Sequence, residues 1–137
     1  MSHLQCKDAQ LFVHLTWSTR DARPILGDDE SRQAAYLAIK ARTRSQLCRV
    51  LAIGGTPCQV HMVISFPPSL PIHTLLRIAR EAAQEAITRQ QEVMSGNFRE
   101  LPCYWEPGYT AHTLSAAEAA QANSYLRQCL TATPPPH

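Results

Sequence analysis

Gln59-Val60-His61 and Tyr125 are the residues of this chain whose types and spacing suit phosphate chemistry. Gln59 and His61 stand two apart in the apolar run Gln59-Val-His-Met-Val-Ile-Ser-Phe66. On a strand they point the same way while Val60 and Met62 pack behind. An amide oxygen beside an imidazole is a donor pair that can hold a divalent ion against a phosphate. Tyr125 sits on a C-terminal helical pattern in which Gln121, Tyr125 and Cys129 follow at i, i+4, with Gln128 at i+3 from the tyrosine. A phenol is a nucleophile only with help, because its pKa near ~10 leaves it protonated at neutral pH. Each residue also has a plainer reading. A lone strand histidine is commonly a hydrogen-bonded structural residue, and a tyrosine on an amphipathic helix commonly packs in the core.

Other candidates surround these. His14 lies on the polar face of the first strand and shares a face with His61 if the two strands are neighbours. Trp105, Gly108 and Tyr109 form an aromatic-turn-aromatic patch, either hairpin packing or a platform on which unpaired bases stack. Arg20 and Arg23 follow the first strand, and Arg42 and Arg44 end the first helix.

The elements that must position these residues are legible from periodicity and punctuation. Leu11-Phe-Val-His-Leu-Thr-Trp-Ser18 alternates, with Leu11, Val13, Leu15 and Trp17 on one face and Phe12, His14, Thr16 and Ser18 on the other. Asp28 or Asp29 caps a helix over about 29–46. Arg49-Val-Leu-Ala-Ile53 reads as a short strand ending at Gly54-Gly55, forming a hairpin with the Gln-Val-His strand. Pro67-Pro68 stops that strand, and an apolar stripe from Leu75 to Ile87 predicts a helix over 72–94. Residues 101–114 read as a second hairpin around Pro107-Gly108. Ser115-Ala-Ala-Glu118 is a capping box opening a last helix over 115–130. The order βαββαββα predicts an α+β fold, an antiparallel sheet of four to five strands with helices packed on it. Residues 1–130 are expected to form a single domain, and 131–137 a disordered, Pro-rich tail.

Composition narrows the class. A chain of 137 residues, 45% hydrophobic and 18% charged, suits one globular domain. No apolar run is long enough to span a bilayer, and the first residues lack the layout of a secretion signal, so a cytoplasmic protein is expected. Five cysteines without a C-x-x-C pair argue against a disulfide framework or a structural zinc site. The net charge of +2 is unevenly spread: residues 1–80 hold ten Lys/Arg against five Asp/Glu, and 81–137 hold three against six. Eleven of the thirteen basic residues are arginine, whose planar fork suits phosphate.

Six short segments in order carry a further signal. They are Val13-His-Leu-Thr-Trp-Ser-Thr-Arg20, Arg23-Pro-Ile-Leu26, Leu51-Ala-Ile-Gly-Gly55, Gln59-Val-His-Met-Val-Ile-Ser65, Tyr104-Trp-Glu-Pro-Gly-Tyr109 and Tyr125-Leu-Arg-Gln-Cys129. Together, over residues 11–130, they resemble the insertion-sequence-200-like family of single-tyrosine (HUH-type) DNA transposases. The resemblance implies a ferredoxin-like fold and a homodimer with shared active sites that binds single-stranded or hairpin DNA. It implies a tyrosine, here Tyr125, that attacks a phosphodiester, leaving a 5′-phosphotyrosine and a free 3′-hydroxyl, in transposition. It also implies Mg²⁺ or Mn²⁺ held by two histidines and a glutamine four residues after the tyrosine. Here the first histidine is Gln59, the second is His61, and Cys129 occupies the glutamine position, with Gln128 next to it. Two changed ligands predict weak or absent metal binding and slow or absent cleavage. The alternative is a catalytically impaired or domesticated protein that binds DNA or RNA hairpins.

Overall fold

The computed structural model describes residues 10–95 and 104–132. Its centre is β1 (Leu11–Ser18), whose alternation buries Val13, Leu15 and Trp17 on one face. β3 (Gln59–Phe66) pairs antiparallel on one side of β1, and β4 (Thr110–Leu114) on the other. β2 (Arg49–Thr56) pairs with the outer edge of β3, giving the order β2-β3-β1-β4. The expected antiparallel α+β architecture is present, with four strands among the described residues.

α1 (Asp29–Arg44) starts at Asp28, whose carboxylate accepts from the Ser31 amide at 2.9 Å, and the helix ends two residues before the expected boundary. α2 (Ile72–Ser95) follows the Pro67-Pro68 stop and packs along α1. This helical layer covers one sheet face, where Val13, Leu15, Trp17, Val60, Met62 and Ile64 meet Ile39, Leu75, Ala79 and Ala83. Burying each large aliphatic chain contributes about 1.5–3 kcal/mol, so this layer is the main source of stability.

The β2–β3 hairpin differs from its expected form. The strand does not stop at Gly54-Gly55 but carries through both glycines to Thr56, and the turn is Pro57-Cys58. Gly55 has φ 154°, and a Cβ there would lie 2.1 Å from the Gln59 carbonyl oxygen, so only glycine lets the hairpin close this tightly.

The expected second hairpin also resolves differently. Of its described residues, 110–114 form β4, while Trp105 makes only an isolated bridge with Thr19, beyond the end of β1. Residues 101–103 of that segment lie outside the described residues. The last helix is broken at Gln121 (φ −110°, ψ 35°) into α3 (Ala116–Ala120) and α4 (Ala122–Ala132). The capping box is present: Glu118 N donates to Ser115 Oγ at 3.1 Å, and Ser115 N to Glu118 Oε1 at 2.9 Å. α4 lies on the sheet face opposite α1 and α2, through Leu126 and Ala122 against Ala52 and Val63. It runs through Ala132, two residues into the stretch expected as tail, and residues 133–137 lie outside the described set.

Candidate functional site

Register places the site. Thr16 pairs with His61 and Ser18 with Gln59, while His14 pairs with Val63 on one side and His112 on the other. The polar face of β1 therefore meets Gln59 and His61 of β3 and His112 of β4, and α4 closes over it. His14 and His61 are 5% and 7% exposed, unusual burial for imidazoles. Gly54 pairs with His61, and a Cβ at that position would meet Leu130 and Leu126 of α4 at 3.5 and 3.8 Å, ordinary contact distances.

The side chains form one connected chain. Tyr125 Oη lies 3.2 Å from His14 Nδ1. His14 Nε2 lies 3.1 Å from His61 Nδ1, and His61 Nε2 lies 3.4 Å from Gln59 Oε1. Thr16 Oγ1 is 3.3 Å from both inner nitrogens. One set of neutral tautomers satisfies every link: the Tyr125 hydroxyl donates to His14, His14 Nε2–H to His61, and His61 Nε2–H to the Gln59 amide oxygen.

Electrostatics agree with neutral rings. Burial, then the neighbouring charges of His61 and His112, hold His14 down to about 4, and burial lowers His61 as well. The Tyr125 phenol is pushed up to about 12, first by burial, then by a hydrogen bond with Cys129 and the charges of Cys129 and Glu118. At neutral pH His14 and His61 are thus uncharged and the Tyr125 phenol is protonated.

Among the sequence candidates, the structure unites Tyr125, His61, Gln59 and His14. Thr16 belongs to the same group, and its place on the polar face of β1 was the available signal. His112 escaped attention because it lay in a segment read as hairpin, where no neighbour suggested a role. Its ring centroid is 6.3 Å from that of His14.

Trp105 packs inward. It is 5% exposed, its ring packs edge-on to Trp17 at 6.2 Å, and its Nε1 donates to the Arg80 carbonyl at 3.1 Å. The bridge to Thr19 turns its side chain to the core face, where Trp17 already points. Tyr109 is 43% exposed. Arg20 and Arg23 are exposed in the turn after β1, at the Gln59 end of the sheet. The Asp21 backbone in that turn is left-handed (φ 56°), and its amide donates to the Glu106 carboxylate at 2.8 Å. Arg42 and Arg44 stand on α1, across the sheet from the histidines, and Arg42 pairs with Glu85 of α2 at 2.9 Å.

Of the ligand set implied by the resemblance, Gln59 and His61 lie side by side. Gln128 is exposed, and Cys129 is hydrogen-bonded with Tyr125. Among the described residues no three of His, Cys, Asp or Glu cluster as metal ligands. The same residues include Cys48, Cys58 and Cys129 as free thiols. No helix among them is long and apolar enough to cross a membrane.

Two solved structures share this fold. One is a Deinococcus radiodurans R1 protein assigned as a transposase, 20% identical, with TM-score 0.64 over 93% of this chain and 97% of that one. The other is a REP-associated tyrosine transposase bound to a REP hairpin, 15% identical, with TM-score 0.56 over 90% of this chain and 68% of that one. No curated protein matches the chain in sequence. The family model described as transposase IS200-like matches residues 7–129, which span β1 through most of α4 and hence every residue of the histidine–tyrosine face. The chain belongs to the IS200-like transposase family.

Proposed function

We propose that this protein binds single-stranded or hairpin DNA as a single domain and, at Tyr125, cuts and rejoins it. The Tyr125 oxygen attacks the phosphorus, the bond to the 3′ oxygen breaks, and the products are a 5′-phosphotyrosine and a free 3′-hydroxyl. The covalent link keeps the bond energy for rejoining. The observation that carries this reading is the Tyr125–His14 hydrogen bond at 3.2 Å, which fixes the phenol on a buried imidazole face rather than in the core. Arg20 and Arg23, exposed in the turn after β1, and Tyr109, exposed just before β4, are proposed to meet the nucleic acid. The proposed assembly is a homodimer with shared active sites, and within one chain Tyr125 Oη lies 3.2 Å from His14 Nδ1.

A second reading is a protein that binds hairpins without cutting them. The phenol pushed up to about 12 favours it, because a more basic tyrosine is protonated more completely at neutral pH. One assay separates the two. Hairpin DNA, beginning with sequence flanking the gene, is incubated with Mn²⁺, and a covalent protein–DNA band is sought on a denaturing gel. A band lost in Tyr125→Phe supports cleavage. Retarded mobility on a native gel with no covalent band supports binding alone.

A further inference from the structure

The geometry points to a divalent-cation site between the inner nitrogens of His14 and His61, closed by the hydroxyl of Thr16. His14 Nε2 and His61 Nδ1 are 3.1 Å apart, and Thr16 Oγ1 is 3.3 Å from each. Bonds of about 2.1 Å set neighbouring donors about 3.0 Å apart in an octahedral shell and about 3.4 Å apart in a tetrahedral one. The triangle of two nitrogens and one oxygen has the edge length of a coordination face. This position differs from the one the family resemblance implies. It uses the other nitrogen of His61 and takes neither Gln59 nor Cys129 as a ligand.

The outer nitrogens support the assignment. A metal-bound imidazole carries its proton on the nitrogen facing away, and a fixed partner for that proton holds the tautomer and the ring. Both rings have such a partner. His61 Nε2 faces Gln59 Oε1, and His14 Nδ1 faces Tyr125 Oη. Gln59, a departure from the histidine its family pattern places there, supplies a permanent acceptor at that point. With His14 Nε2 given to a cation, its ring proton sits on Nδ1 and is donated to the Tyr125 oxygen, linking the ion to the phenol through one ring.

The donor chemistry selects the ion. Two imidazoles favour Mn²⁺, Co²⁺ or Zn²⁺ over Mg²⁺. Both rings are buried, and an imidazole offers a lone pair from its unprotonated nitrogen. None of the three donors is anionic, so the charge of the ion is left for an anionic further ligand. A phosphate oxygen is the candidate, and only that last step rests on the proposed DNA reaction.

The test is made on the full chain, stripped of metal by chelation and titrated with Zn²⁺ without DNA. Imidazole ¹⁵N and ¹H shifts in NMR report which nitrogen is coordinated, and zinc taken up by thiols leaves those nitrogens unmoved. We expect coordination at His61 Nδ1 and His14 Nε2. Thr16→Val is expected to weaken binding by about 10–100-fold and His14→Asn by at least as much, while Gln128→Ala and Cys129→Ser leave it unchanged. Zinc at His61 Nε2, wild-type binding in His14→Asn, or unmoved ring nitrogens at millimolar Zn²⁺ would each overturn the assignment. The nitrogen assignment comes from the unaltered protein, so it decides the question even if His14→Asn does not fold. Because no DNA is present, failure here leaves the cleavage reading standing, and the reverse also holds.

Discussion

Leu126→Ala is expected to loosen the tyrosine helix without unfolding the domain. Leu126 is 4% exposed and is the one large, fully inserted apolar side chain with which α4 grips the sheet. Its companions are the small Ala122 and the partly buried Tyr125 and Leu130. Leucine burial contributes about 1.5–3 kcal/mol, and truncation to alanine in a core costs about 2–5 kcal/mol. The lower part of that range applies, because a helix on one face can settle toward the sheet, although Gly54 beneath offers no side chain to fill the gap. A loss of about 2–3 kcal/mol equals a factor of about 30–150 in the docking equilibrium. The α1–α2 layer shares none of this cluster, so α4 can undock while that layer stays folded. Native-state hydrogen exchange reads the opening free energy of each region. Amides of α4 should exchange about 30–150-fold faster in the variant and open at a lower free energy than those of α1, α2 and β1. The same opening free energy in both regions, or no acceleration in α4, would refute the reasoning, since α4 would then belong to the global cooperative unit.

Other expectations follow from the same geometry. Gly55→Ala should lower the melting temperature sharply, since it combines a disfavoured φ with a 2.1 Å clash against the Gln59 carbonyl, and a melt within 2 °C (roughly 0.5 kcal/mol) of wild type would contradict it. Acid should destabilise the metal-free protein through His14. Its folded value is depressed to about 4 against 6.5, so the unfolded chain takes the proton first, and stability falls as pH drops from 6.5 towards 4. The full effect is at most about 3 kcal/mol, read as the difference in urea midpoints between wild type and His14→Asn; a constant difference across that window would count against it. Arg20→Ala with Arg23→Ala should weaken hairpin binding and reduce its salt slope by about 1–2 units, whereas Arg42→Ala, across the sheet, should do neither in the same fluorescence titration. Trp105→Ala should cost about 3–5 kcal/mol of stability in denaturant unfolding, the mark of a core residue rather than a base platform.

Much of the fold was legible because its determinants act over a few residues. The alternation of β1, the Asp28 cap, the Pro67-Pro68 stop and the Ser115–Glu118 box each depend on backbone geometry within one or two turns. The same local logic set Gln59 beside His61. It failed where a neighbour distant in sequence decided the outcome. Trp105 looks like a loop aromatic until the bridge to Thr19 turns it onto Trp17. Gln121 interrupts a run of good helix formers, and nothing in its sequence neighbours signals the break.

The amino-acid sequence by itself determined which strands are apolar on one face and polar on the other, and hence that a polar sheet face carrying histidines must exist. Only the strand order β2-β3-β1-β4 decided that His14 lies between His61 and His112. Only the docking of α4 on that face brought Tyr125 to a histidine 111 residues away. The physical reason is that face identity is written in a two-residue period, whereas the choice of partner is a property of the closed sheet and the packed helix.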